Sequence, residues 1–415
     1  MKLLHCADLH LDSPLRGLSR FGDAPAESLR GATRRALEQA VDVALDTRVS
    51  AVVIAGDLYD GDRDDYQTAV FLQRQLHRLR DADVRVVIAY GNHDAESEIT
   101  RRLSLPDNAT VLPSTAPDVV TFEDLGVAFH GRSYPTRAID VDLSADYPAP
   151  RRGLLNVGVL HTSLNGRPGH ATYAPCTLDG LVQRGYQYWA LGHVHMREVL
   201  ERDGVAIVFP GNICGRHIGE TGSKGVTLVE YDGDQVTEVV HREVAPVRWH
   251  LLDIDAATAT TPDEVTEAVV ERLGQVRAAE PAPLHAVRLR IAAGPRAAAQ
   301  WARAREQWET QLRADAAGSD ADVWLERVDV EASEPPTSPA TDDALAAVAA
   351  AIAQVRDEAL GRPIVDALMA GVRSRFGPQR DAAIALGALG LDQGSFAELI
   401  DAAEALLAAE LGTGA

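Results

Sequence analysis

The residues best suited to chemistry in this sequence are aspartates, histidines and one asparagine that recur at the ends of apolar runs. Residues 2–7 close on Asp8-Leu9-His10, 51–55 on Gly56-Asp57, 84–90 on Gly91-Asn92-His93-Asp94, 155–160 on His161, and 186–191 on Gly192-His193-Val194-His195. Imidazole nitrogen, anionic carboxylate oxygen and a neutral amide oxygen, without thiolate, form a donor set suited to Mn²⁺, Fe²⁺ or Zn²⁺ rather than Ca²⁺ or copper. A carboxylate can bridge two cations and hold them ~3.5–4 Å apart, the spacing of two-metal hydrolases. Asp57 is the natural bridge, because it stands alone after its run with Gly56 before it. Gly56, Gly91 and Gly192 each precede a candidate ligand, where the chain must turn sharply and a Cβ would obstruct. Taken singly, each piece has an ordinary reading as a turn. Taken together, in order and each at the end of an apolar run, they point to one centre.

Such a centre needs elements that bring five chain segments to one edge. The first third alternates in the required way. Runs 2–7, 51–55 and 84–90 read as buried strands, and 28–46 and 66–80 as amphipathic helices with Leu29, Ala36, Ala40 and Val43, and Val70, Phe71, Leu76 and Leu79, on their inward stripes. This βαβαβ order predicts parallel strands covered by helices. In an open α/β layer, ligands bind at the carboxyl ends of the strands, where the acids and histidines fall. Beyond residue 120 strands dominate, over 127–131, 155–161, 186–191, 205–209 and 226–231, which predicts a β-sandwich core with helices outside. A second unit reads as strand 247–254, helix 262–276, strand 286–291, helix 296–313 and strand 323–330. Pro335, Pro336 and Pro339 mark a linker, and the remaining residues are rich in Ala and Leu and read as helical. The expected domains are 1–245, a small α/β domain 246–332, a Pro-rich linker 333–341 and a helical C-terminal region 342–415.

Composition bounds the function. The chain has 415 residues, room for two or three domains, and a net charge of −21, which argues against a wholesale nucleic-acid coat. Either the substrate is small, or metal ions and a local Arg cluster supply the positive potential while a partner contributes the rest. Cys6, Cys176 and Cys214 include no C-x-x-C pair, against both a disulfide framework and a zinc knuckle. No window approaches the ~18 uninterrupted apolar residues of a membrane helix. The N-terminal apolar run, broken by His5 and closed by Asp8, is no signal peptide. No membrane association is expected, and a cytoplasmic location is the default.

The order D-x-H, G-D, G-N-H-D, H, G-H-x-H resembles that of the calcineurin-like metallophosphoesterases. More closely, the sequence is similar to the SbcD/YhaO-type DNA repair exonuclease branch. The segments that carry this are HCADLHLDSP (5–14), GDLYDGDRDDY (56–66), GNHDAESEIT (91–100), LHTSLNGRPGH (160–170), YWALGHVHMREVL (188–200) and FPGNICGRHIGETGSKG (209–225). The resemblance covers roughly residues 1–231; downstream it is only positional, a small domain coming next as the family's capping domain does. It implies a four-layer α/β/β/α sandwich with a small α/β capping domain and a helical C-terminal segment. It also implies two divalent ions, Mn²⁺ foremost with Fe²⁺ or Zn²⁺ as alternatives. One would be bound by Asp8, His10, Asp57 and His195, the other by Asp57, Asn92, His161 and His193. His93 would face the scissile phosphate and protonate the leaving oxygen, a role suited to a side chain that titrates near neutrality. Two cations would activate a shared water as hydroxide for in-line attack.

The implied function is a metal-dependent DNA nuclease, an exonuclease or endonuclease, acting as the catalytic subunit beside an SbcC-type coiled-coil ATPase, with a homodimer left open. Two other readings stand: a phosphodiesterase or phosphatase for small nucleotides, or a DNA-end scaffolding subunit. Several residues keep two readings. Asp94 orients His93 or caps the turn. Asp12 bonds a ligand histidine or caps the next segment, while Asp60 belongs to the turn after Asp57. Arg167, His170, Arg216, His217 and Lys224, in glycine-bearing loops, cradle a backbone phosphate or form surface turns; Arg101 and Arg102 would add positive field. Trp301, Arg303, Arg305 and Trp308 stack on single-stranded bases or pack a core. His5 and His130, in apolar runs, are core or turn residues.

Overall fold

The computed structural model describes residues 1–13, 29, 31–60, 66–96, 104–164, 173–317 and 322–333. The short apolar runs become the central strands. β1 (Lys2–Cys6), β2 (Ala51–Ala55) and β3 (Arg85–Ala89) pair in parallel, so their carboxyl ends share one edge. With β4 (Ala109–Val111), β11 (Gly225–Asp232) and β12 (Gln235–Glu243) they form a six-stranded sheet in the order β12-β11-β1-β2-β3-β4. The second sheet runs β5-β6-β7-β8-β10-β9, built from Asp118–Phe122 (β5), Val127–Gly131 (β6), Leu155–His161 (β7), Tyr188–Gly192 (β8), Glu198–Arg202 (β9) and Val205–Phe209 (β10). Within it β6, β7 and β8 are again parallel.

The two sheets face each other. Leu3, Val53, Val87 and Val229 of the first share one apolar cluster with Phe129, Val157, Tyr188 and Val208 of the second. Both faces of the central strands are therefore covered, which is why they read as unbroken apolar runs rather than alternating ones. Helices α1 (Ala32–Asp46) and α2 (Tyr66–Arg80) lie on the outer face of the first sheet, bringing Leu37, Ala40, Leu72 and Leu76 to Leu4, Cys6, Val52 and Ile54. On the second sheet, Leu181 of α3 (Leu178–Gln183) joins Trp189, Leu191 and Ile207 in a separate cluster. The four layers are thus α/β/β/α. All three cysteines are free and buried, and burial pushes their thiols up to about 12, out of the reactive range.

His5 and His130 are core residues. His5 Nδ1 lies 2.9 Å from the Tyr188 hydroxyl, and His130 Nε2 lies 2.9 Å from Asn156 Oδ1 with its ring stacked on Tyr186. Burial pushes the His5 imidazole down to about 3, so the folded chain holds it neutral. The unfolded chain protonates it below ~6.5, so stability is lost as pH falls from there towards 3, at ~1.4 kcal/mol per pH unit for this one group. His5→Leu is expected to flatten the acid limb of the stability–pH profile by that slope in urea unfolding between pH 6.5 and 5. Parallel profiles for the two proteins would show that His5 carries no such linkage.

The chain divides into two compact units. One holds Met1–His250 with Ala282–Ala286, the other Leu251–Pro281 with the described residues from Val287 onward. A third sheet, in the order β13-β14-β15 from Val247–Ala256, Leu284–Ala293 and Val323–Ala332, has most of its residues in the second unit, while Val247–His250 and Leu284–Ala286 belong to the first. Helix α4 (Pro262–Ala279) starts at a capping box in which the Thr261 side chain takes the Glu264 N–H and the Glu264 carboxylate returns to Thr261. The helix expected over 296–313 is two helices, α5 (Pro295–Arg303) and α6 (Arg305–Ala317), because Ala304 leaves the helical region at φ −136° and ψ 42°. Trp301 is buried and Trp308 packs on the same core, their rings stacked 6.2 Å apart, so of the two readings this pair packs a core. The regions 334–341 and 342–415 lie outside the described residues, which include no helix long and apolar enough to cross a membrane.

Candidate metal centre

The parallel strands β1, β2 and β3 of one sheet, and β7 and β8 of the other, release their chains at one edge, where the sheets are bolted together. Asp8 N–H donates to Gly56 O at 2.9 Å and His10 N–H to Asp57 O at 3.0 Å. Across the sheets, His161 Nδ1 donates to Ala55 O at 2.9 Å, and the His193 N–H reaches both carboxylate oxygens of Asp8 at 3.1 and 3.0 Å. Two glycines make this approach possible. A Cβ on Gly192 would stand 1.8 Å from Ala55 O, and one on Gly91 would stand 2.3 Å from Asp57 Oδ1. Four of the seven ligand candidates, Asp8, His10, Asp57 and His193, have φ between 41° and 94°, in the left-handed region that non-glycine residues avoid. Strain of ~1–3 kcal/mol per residue is held where the chain must aim a side chain.

The candidate donors converge; Asp8, His10, Asp57, Asn92 and His161 are buried, and His193 and His195 are half-buried. One ligand atom from each of Asp8, His10 and His195 lies within 4.8 Å of the others, and so does one from each of Asp8, Asp57 and His161. His10 Nε2 and His195 Nε2 face each other at 3.2 Å, and His161 Nε2 and Asn92 Oδ1 at 3.0 Å. Metal–ligand bonds of ~2.0–2.2 Å place neighbouring donors of one ion ~3.0–3.5 Å apart, so both pairs fit a shared cation. Asp57 Oδ2 lies 3.8 Å from His10 Nε2 and 3.4 Å from His161 Nε2, so a single oxygen reaches both pairs, as a bridge must. The His193 ring packs edge-on to His161 and to Tyr173 at 5.2 and 5.3 Å.

Charge and tautomer agree with this fit. Burial opposes the charge on His161, but Asp57 and Asp8 outweigh it and push the imidazole up to about 9, the mark of a potential that attracts cations. Burial alone would raise Asp57, yet His161 and His10 hold it well below the usual carboxylate range. With Nδ1 of His161 committed to Ala55 O, Nε2 is the nitrogen whose proton a cation would displace. Tyr134 steadies the same residue by donating its hydroxyl to His161 O at 2.8 Å.

His93 sits at the rim, with its N–H on Asp57 Oδ1 at 3.0 Å and its ring edge-on to His10 at 5.1 Å. The carboxylate beside it is Asp60, whose Oδ1 lies 3.3 Å from His93 Nδ1, 3.7 Å from His10 Nδ1, and whose Oδ2 accepts from Ser13 at 2.6 Å. Sequence alone places Asp60 in a turn; its one local sign is the position three residues after Asp57. Asp94 contacts the chain instead. It is buried and accepts from the N–H groups of Leu58, Tyr59 and Gly91 at 2.9, 3.3 and 2.9 Å, so of its two readings it takes the turn-fastening one. Burial and the Asp57 charge push its carboxyl up to about 7. Among the described residues, Asp12 is held by Arg34 and Thr68 rather than by a ligand histidine.

The loop between β10 and β11 departs most from expectation. Glu220, which sequence reasoning missed, is 5 % exposed and places Oε1 2.7 Å from His195 Nδ1. Arg216 turns inward onto Glu220, its guanidinium also donating to Ser13 Oγ at 3.4 Å. Lys224 is buried, its Nζ donating to His195 O at 2.6 Å. Only His217 of this set stands in solvent, with its side chain 58 % exposed. Burial would raise Glu220, but His195 and Arg216 hold it ionised, far below the ordinary range. A lone acid among glycines and cations was its only signal. Arg101, Arg102, Arg167 and His170 lie outside the described residues.

Comparison with known proteins shows the family. The calcineurin-like phosphoesterase family matches residues 1–211, and the middle domain of metallophosphoesterase YhaO matches 249–333. The chain is 32% identical over 280 residues to the uncharacterized metallophosphoesterase YhaO of Bacillus subtilis (strain 168), covering 67% of this chain and 68% of that one. It is 26% identical over 277 residues to the DNA double-strand break repair protein Mre11 of Methanopyrus kandleri, covering 60% of this chain and 57% of that one. It is 23% identical over 290 residues to the SbcD subunit of nuclease SbcCD of Bacillus subtilis, covering 60% of this chain and 72% of that one.

Proposed function

The chain belongs to the calcineurin-like phosphoesterase family, and from that premise we propose that it is a metal-dependent DNA nuclease, the catalytic subunit of a nuclease–ATPase pair. It is a metallophosphoesterase with the donor types that divalent cations need. The observation that carries the finer reading is the intact donor set, every ligand type present and converging, in a chain similar to Mre11 and to the SbcD subunit of SbcCD.

Asp8, His10, Asp57 and His195 hold one cation; Asp57, Asn92, His161 and His193 hold the other. The thiolate-free N/O set fits Mn²⁺, Fe²⁺ or Zn²⁺, and by the family resemblance Mn²⁺ is the ion proposed. When bound, the two ions lower the pKa of water and neutralise charge developing on the phosphoryl oxygens. The chain's own residues supply the rest. His93, with Nδ1 turned to Asp60, keeps Nε2 for the leaving sugar oxygen and delivers a proton to it. Asp94 holds the Gly91–Asp94 turn that aims Asn92 and His93. His217, with Arg216 behind it, meets a backbone phosphate at the rim. Residues 246–332 form the capping domain, a reading supported by the YhaO middle-domain match over 249–333.

The test is a substrate panel with the full chain and Mn²⁺: end-labelled linear duplex and single-stranded DNA, bis-p-nitrophenyl phosphate and cyclic nucleotides, with and without a coexpressed SbcC-type ATPase. Metal-dependent shortening of labelled DNA is expected. One observation favours a small-substrate phosphodiesterase: on a chain of net charge −21, Arg216 and Lys224 are spent inward. Turnover of small esters with intact DNA in every lane would select that reading instead.

A further inference from the structure

The two imidazoles that approach Asp57 and Asp8 from the second sheet are oriented by different groups. His161 Nδ1 faces a neutral backbone carbonyl, Ala55 O, at 2.9 Å. His195 Nδ1 faces a carboxylate, Glu220 Oε1, at 2.7 Å from a residue 25 positions away. That carboxylate is itself fully anchored. Oε2 accepts from Asn212 Nδ2 at 3.0 Å and from the Arg216 N–H at 2.8 Å, and Oε1 accepts from the Arg216 guanidinium at 2.8 Å. Asn212 is held in turn, donating to Cys214 O at 2.8 Å, and Lys224 grips the His195 carbonyl from the far end of the same loop. Neither the ring of His195 nor its backbone can turn without breaking this set.

We propose that Glu220 is the positioning residue of the His195 side of the centre, and that the loop carrying it sets the affinity of one cation position without touching the cation. The inference rests on the two-cation reading above. A charged acceptor makes a shorter and stronger hydrogen bond than a carbonyl does. It fixes Nδ1 as the protonated nitrogen, turns Nε2 towards His10 and Asp8, and makes that nitrogen a better donor. The two positions therefore differ not only in their ligands but also in what orients the histidine, a buried loop acid on one side and a backbone carbonyl on the other.

The experiment is calorimetric titration of the metal-depleted full chain with Mn²⁺ alone, with bound metal counted by mass spectrometry. Wild type is expected to bind two ions. Glu220→Ala is expected to weaken one of the two binding events by ~10–100-fold, the usual effect of removing a group that orients a ligand, and to leave the other in place. Glu220→Gln keeps the shape and an oxygen for His195 but removes the charge, so its loss falls between. This variant also carries the test if the alanine protein does not fold. Two ions bound with unchanged affinities in both variants, or both events weakened equally, overturns the proposal. A wild type that binds fewer than two ions refutes the two-cation centre itself, whatever the variants do.

Discussion

His93→Ala is expected to slow phosphodiester hydrolysis by ~10²–10⁴-fold, the range that a positioned proton donor contributes, while Mn²⁺ binding stays at the wild-type level. The separation is what the geometry demands. The hydrogen bond of His93 to a ligand candidate, Asp57, comes from its backbone N–H, and its ring only packs edge-on to His10, so replacing the ring leaves that bond in place. The ring is at the rim, 29 % exposed, with Nδ1 against Asp60. Asp60→Asn should therefore reproduce part of the loss by releasing the ring, again with both ions retained. The measurement is turnover of bis-p-nitrophenyl phosphate and of labelled DNA, together with metal content by mass spectrometry. A His93→Ala protein that turns over normally with both ions bound would end the assignment of the proton to this residue.

The Asp57→Ala protein should lose more. One oxygen of Asp57 is within 4 Å of both His10 and His161, so its removal opens both halves of the centre at once. Turnover is expected to fall by at least ~10³-fold, the scale of losing a main electrostatic stabiliser of the transition state. Stability gives an independent readout. An ion bound only to the folded chain adds ~2.7 kcal/mol when present at a hundredfold excess over its Kd. Wild type should melt at a higher temperature in Mn²⁺ than in chelator, and Asp57→Ala should melt at the same temperature in both. A variant that keeps the full Mn²⁺-dependent rise would show that Asp57 bridges nothing.

Much of this was written in local sequence. Strands such as Ala51–Ala55 are buried on both faces, so every side chain in them must be apolar, and the first acid or histidine marks the point where the chain leaves the sheet. That is why the seven candidate donors and the central strands of both sheets could be picked out one segment at a time. The strands that escaped notice, β4, β5, β9 and β12, share one property: each is an outermost strand of its sheet. An edge strand has a neighbour on one side only and is kept short or polar, as Glu198–Arg202 is, so its pattern does not stand out from a loop.

What only the tertiary structure decided is the direction taken by the polar side chains of the loops. Sequence set Arg216 and Lys224 among glycines as candidates for a phosphate; folding turned both inward, to Glu220 and to His195 O. Asp60, not Asp94, came to face His93, because Asp94 found three backbone N–H groups within reach. A strand's burial is dictated by its own residues, whereas a loop side chain turns to whichever unsatisfied partner the rest of the chain brings within ~3 Å, and that partner lies tens or hundreds of residues away.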